Sequence, residues 1–64
     1  MKYIIKTIEA QELQEDDLIE YDEHLAYVRK INKHKAVEVE LEFPNGILKE
    51  DLYELDEPVN LVKW

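Results

Sequence analysis

Carboxylates are the one reactive group this chain holds in abundance. Sixteen Asp and Glu stand against eight Lys and Arg, a formal net charge of -8 on 64 residues. The common nucleophiles are missing: there is no cysteine and no serine, and Thr7 lies in an alternating segment with no base beside it. His24 and His34 each stand alone in turn-like segments, not at a metal-ligand spacing. A single glycine excludes the loops that cradle phosphates in nucleotide-binding motifs. Paired carboxylates can do general acid–base work, but only in a pocket that perturbs their pKa values, and so short a chain encloses little. The inventory points to binding rather than catalysis. No catalytic residue, metal site or cofactor is expected.

The charges are grouped. From Glu9 to Glu23 the chain carries Glu12, Glu15, Asp16, Asp17, Glu20 and Asp22 with no basic residue among them. A second acidic group, Glu50, Asp51, Glu54, Asp56 and Glu57, follows, and Arg29, Lys30, Lys33 and Lys35 form a basic segment between the two. A strongly negative body repels phosphate backbones and anionic membranes, so neither direct nucleic-acid binding nor membrane association is expected. It attracts a basic protein surface and speeds encounter with it. The candidate partner-binding face is therefore Glu12, Glu15, Asp16, Asp17, Glu20, Asp22 and Glu23. Replacing Glu12, Glu15, Asp16 and Asp17, polar loop and turn positions, with amides is expected to leave the fold intact. The expected function is that of an accessory domain docking a basic partner, of the kind phages and mobile elements encode. Nucleic-acid mimicry by these carboxylates, an RNA-associated barrel and a self-assembling subunit are the alternatives. Self-repulsion predicts a monomer or weak dimer.

No segment approaches the roughly 20 apolar residues of a membrane span, and Met1 to Lys6 is too short an apolar run for a secretory leader. Freedom from cysteine fits a reducing compartment, so a single cytoplasmic domain is expected.

The elements that must position these groups are strands. From Ala36 to Phe43 the apolar period is two, with Val37, Val39, Leu41 and Phe43 on one face and Glu38, Glu40 and Glu42 on the other. Further strands are predicted at Lys2–Ile8, Asp17–Tyr21, Leu25–Ile31, Ile47–Tyr53 and Val59–Trp64, with one helical turn near Ala10–Leu13. Lys2–Ile8 is apolar on both faces, which predicts cover on both sides or a bend between two sheets. A loop of two or four residues centred on Lys33 and His34 pairs Arg29 with Glu38, Val28 with Val39 and Ala26 with Leu41. That register leaves Leu25 and Tyr27 on the glutamate face as a possible contact spot. At Pro44-Asn45-Gly46 a three-residue loop competes with a two-residue Asn-Gly loop that pairs Glu42 with Lys49. Tyr3, Tyr21, Tyr27, Tyr53, Phe43 and Trp64 exceed what a small core needs, which puts some at its rim. Five to six short strands that share one core must curl, so the expected fold is all-β, a small antiparallel barrel.

The stretch Ala10-Gln11-Glu12-Leu13-Gln14-Glu15-Asp16-Asp17-Leu18-Ile19-Glu20-Tyr21-Asp22-Glu23, followed by Tyr27-Val28-Arg29-Lys30-Ile31, resembles the opening of SH3-like and KOW-like barrels. There a leucine precedes a Gly-Asp turn, two apolar strand residues, a short turn and a second strand. The N-terminal domain of elongation factor P is such a barrel. The resemblance covers the first half of the chain and implies an SH3-like fold. Asp16 stands where the family has glycine, so an aspartate must make the tight turn. Asn32 to Lys35 lacks the glycine-flanked lysine loop on which the family's ribosomal role depends.

Overall fold

Alternating apolar residues separated by turn-forming dipeptides produce six strands: β1 (Ile4–Glu9), β2 (Leu18–Tyr21), β3 (His24–Lys33), β4 (Val37–Glu42), β5 (Leu48–Tyr53) and β6 (Pro58–Lys63). Among the described residues, a single 3-10 turn spans Ala10–Glu12. The computed structural model describes residues 3–63, so the predicted strand ends at Lys2 and Trp64 lie outside the described residues. All strand pairings are antiparallel, in one sheet of order β1-β6-β2-β3-β4-β5. The fold is all-β, with β1 and β5 at the edges of the sheet.

The core lies on one face. Val37, Val39 and Leu41 of β4 are buried and Phe43 half-buried, while Glu38 is exposed and Glu40 and Glu42 are partly so. Ile19, Ala26, Val28, Tyr53, Val59 and Leu61 complete this face, and Ala10 and Leu13 close it from the 3-10 turn and the residue after it. The turn is held in place by Ala10 N–H donating to Glu57 O at 2.9 Å and Gln11 N–H to Leu55 O at 3.0 Å. Strong coiling brings distant strands together. In a flat sheet β2 and β5, three strand spacings apart, would lie about 14 Å from each other. Here the Tyr21 hydroxyl donates directly to the Asp51 carboxylate.

Three turns use positive φ. Asp16 takes φ 72°, a left-handed geometry more usual for glycine. Asp22 and Glu23, at φ 49° and 67°, form the two-residue β2–β3 turn closed by the Tyr21–His24 pair. Gly46 at φ 85° completes a three-residue Pro44-Asn45-Gly46 loop, with Phe43 N–H donating to Ile47 O at 3.0 Å and Gly46 N–H to Phe43 O at 2.9 Å. That loop pairs Glu42 with Leu48 rather than with Lys49.

Two expectations are corrected. The β3–β4 register pairs Val28 with Leu41, Lys30 with Glu40 and Ile31 with Val39, with a bulge between Val28 and Lys30. Without a bulge, the register that pairs Val28 with Val39 sets Lys30 on the core face opposite Val37 and turns Ile31 outward. The extra residue, Arg29, reverses this and keeps Ala26, Val28 and Ile31 all inside. Burial of an aliphatic side chain instead of an ammonium decides the pairing. The other correction concerns β1, which is not covered on both sides. It pairs only with β6, leaving Ile4 at 69% exposure, and only Ile8 packs against the core.

Val39→Asp places a charge in a core of small apolar side chains. It is expected to abolish the cooperative unfolding transition seen by circular dichroism, whereas Glu40→Gln shifts that transition by less than about 0.5 kcal/mol. Replacing Asp22-Glu23 by Asn-Gly removes the Glu23 side chain from left-handed backbone and puts at position 22 a residue suited to it. It is expected to raise stability by about 1 kcal/mol, read as a higher urea midpoint at unchanged slope.

Candidate docking surface

The predicted acidic run does not form one free face. The 3-10 turn turns the Glu12 carboxylate back to accept the Glu9 N–H at 2.8 Å. Asp17 accepts the Gln14 N–H at 2.9 Å and so closes the next turn. Asp16 pairs with Arg29 Nη1 at 3.1 Å, and Glu20 accepts from Asn60 Nδ2 at 3.2 Å. Four of the seven positions therefore have partners within the loop and the sheet. Asp22 and Glu23 sit at the β2–β3 turn, beyond a four-residue strand from Asp17. Glu15 is exposed and belongs to a different constellation.

That constellation was not picked out from the sequence. Glu15, Glu38, Glu40 and Glu50 line an open groove of about 840 Å³ together with Lys30, Asn32 and Leu52. Strand register builds it. Lys30 pairs with Glu40 and Glu40 with Glu50, while Asn32 pairs with Glu38 and Glu38 with Leu52. Unlike charges therefore meet across β3 and β4, but like charges meet across β4 and β5, where direct opposition is unfavourable. Asn32 Nδ2 reaches Glu38 Oε1 at 3.4 Å. The outward direction of Glu38 and Glu40 could be read from alternation alone. Their conjunction with Glu50 required the hairpin loop length, which the turn residues left open.

Leu25 and Tyr27 are on the outward face, as their register position required. Leu25 is half-buried, and Tyr27, 40% exposed, lies beneath the Arg29 guanidinium at 4.8 Å. Arg29 Nε also donates to Glu42 at 2.6 Å, so the bulge residue joins Tyr27, Glu42 and Asp16. Leu18 pairs with Tyr27 and is buried, as is Val62, outside the main core.

On the core face, Tyr21, Phe43, Lys49 and Asp51 gather at the β4–β5 side. The Tyr21 ring meets Phe43 edge-on at 6.0 Å, and Lys49 Nζ lies 5.2 Å from its centroid. The hydrogen bond from Tyr21, followed by that from the Leu52 N–H at 2.7 Å, holds the Asp51 carboxyl below its ordinary range. The same bond, with some burial, raises the Tyr21 phenol. Burial first, then the charge of Asp51, pushes Tyr53 up to about 12. Among the described residues, no group of three His, Asp or Glu side chains could hold a metal ion, and no helix is long and apolar enough to cross a membrane. No protein-family model, curated protein or solved structure matches the chain.

An unfolded tyrosine ionises near pH 10, whereas Tyr53 keeps its proton to about 12. The unfolded state therefore loses its proton first. The contribution of Tyr53 is fully present below pH ~10 and is lost as pH rises toward ~12. Ultraviolet titration of tyrosinate is expected to show this late step in the wild type and not in Tyr53→Phe. Tyr21→Phe is expected to raise the Asp51 pKa toward its ordinary value in a carboxyl-carbon NMR titration.

Proposed function

We propose that this chain is a non-catalytic cytoplasmic docking domain that binds a basic surface of a partner protein through the carboxylates of its outward sheet face. The observation that carries the reading is the groove of Glu15, Glu38, Glu40 and Glu50, in which Lys30 is the one cationic side chain among the lining residues. Glu38, Glu40 and Glu50 lie on regular strands, so their spacing is set by the ladder, and Glu15 joins them from the loop before β2. The Glu40–Glu50 opposition costs stability in the free domain and is relieved when a cation approaches. Exposed carboxylates on a rigid scaffold chiefly raise the association rate, and the effect fades with salt. The predicted run contributes Glu15 directly. Asp22 and Glu23 add to the negative field from the β2–β3 turn. Self-repulsion of a -8 body keeps the domain monomeric or weakly dimeric.

The test uses the domain as bait against a lysate at low and high salt, followed by rate measurements on whatever basic protein is captured. Glu38, Glu40 and Glu50 changed together to Gln are expected to slow association about tenfold or more while leaving the fold unchanged. Changing Asp22, Glu23 and Asp56 to amides removes the same charge elsewhere and is expected to have a smaller effect. The wild-type interaction should weaken as the screening length drops below about 8 Å. Tight binding of RNA by the chain itself, or equal loss from both triple variants, would overturn the reading.

A further inference from the structure

We propose that the free edge of β5 takes up an extended segment of the basic partner by strand addition, and that this segment carries the pattern apolar–x–basic–x–apolar. The inference rests on the docking reading above and names the chemistry of the partner at one edge of the same face.

The hydrogen-bond parity of the β4–β5 hairpin shows which peptide groups are available. Phe43 N–H donates to Ile47 O, so this closing pair is hydrogen-bonded. Alternation then makes Leu41–Lys49, Val39–Asp51 and Val37–Tyr53 the bonded pairs, and Glu42–Leu48, Glu40–Glu50 and Glu38–Leu52 the non-bonded ones. The peptide groups of Leu48, Glu50 and Leu52 therefore point away from β4. The Leu52 N–H confirms the parity independently, because it donates to the Asp51 side chain and not to the ladder. That contact occupies one donor, leaving the Leu48 and Glu50 N–H groups and three carbonyls directed outward from a proline-free strand. An extended chain docks on such a row through its own backbone.

Side chains set the preference. Leu48, Glu50 and Leu52 all project on the outward face, and the two leucines are 56% and 59% exposed. Across the sheet the middle row reads Lys30, Glu40, Glu50. A cation on an added strand opposite Glu50 would give each of the two glutamates an opposite charge as a neighbour. Residues two positions either side of that cation would face Leu48 and Leu52, which favours apolar side chains there. A second copy of this chain is a poorer occupant, because antiparallel pairing centred on Glu50 sets Glu50 against Glu50 between two bodies of charge -8.

The experiment titrates nitrogen-15-labelled protein at low salt with three peptides. The first has the core valine–threonine–arginine–threonine–valine, the second has glutamate for arginine, and the third is the arginine peptide N-methylated on the backbone nitrogens that would face β5. Amide shifts are expected at Leu48, Glu50 and Leu52. The arginine peptide should bind about tenfold or more tighter than the glutamate one, N-methylation should abolish binding, and Glu50→Lys should reverse the peptide preference. Equal binding of the N-methylated peptide would overturn strand addition while leaving electrostatic docking standing. Failure of both arginine peptides, with a captured basic protein still bound by the domain, would also overturn it. Shifts confined to β1, or concentration-dependent β5 shifts without peptide, would assign the edge to another site or to self-pairing.

Discussion

Arg29 is one residue more than a regular β3 would need, and the arrangement of the outward face follows from that surplus. A ten-residue strand that alternates without interruption cannot keep Ala26, Val28 and Ile31 on one side. The bulge between Val28 and Lys30 changes the phase, so the first half of β3 packs in one parity and the second half in the other. Ile31 then meets Val39 on the core side, and Lys30 meets Glu40 outside. Every subsequent position on β4 and β5 inherits this choice through the ladder. The bulge residue is itself held by contacts to Tyr27, Glu42 and Asp16. Those ion pairs are exposed and contribute little stability by themselves. Their role is geometric, joining the η1–β2 loop and β4 to the point where β3 changes phase.

Against this frame the carboxylates divide by what holds them. Glu12, Asp16, Asp17 and Glu20 have partners within the fold, and each partner is a neighbouring loop or strand group. Glu38, Glu40 and Glu50 instead share the outer face of a sheet whose other face is the core. A surface that serves only solubility would be expected to intersperse its charges, and like charges directly opposite would be avoided. The Glu40–Glu50 pair departs from that pattern next to an open strand edge.

The two edges of the sheet are also unlike each other. β1 is bounded by β6 alone and exposes isoleucines near the two chain ends. β5 is a hairpin arm that carries Lys49, Glu50 and Asp51, charged residues of the sort that discourage pairing with a like strand. Coiling of the sheet draws Tyr21 onto Asp51, and that carboxylate in turn takes the Leu52 N–H. The Asp51 carboxylate thus links the Tyr21 hydroxyl with the one covered donor of the β5 edge.

Local pattern alone was enough for the all-β class, the inward row of Val37, Val39 and Leu41 and the helical turn at Ala10. Period-two alternation and turn chemistry act over a few residues and need no knowledge of the rest of the chain. The register of β3 on β4 was not available at that level, because a bulge is favoured only when Ile31 and Lys30 are weighed against a core that distant strands create. The length of the Pro44-Asn45-Gly46 loop was open for a related reason, since both loops satisfy the turn residues and the pairing of the arms decides between them. The candidate groove depends on both choices: Lys30, Glu40 and Glu50 are far apart in sequence and become neighbours only through two ladder registers. Alternation could give Glu38 and Glu40 their outward direction, but not Glu50, whose face depends on the length of the hairpin loop. Glu12 and Asp17 accept N–H groups three residues away within their own turns. Which glutamates stand side by side, and the engagement of Asp16 and Glu20, were instead decided by tertiary packing, because burial of apolar side chains outweighs the small energies of exposed charge pairs.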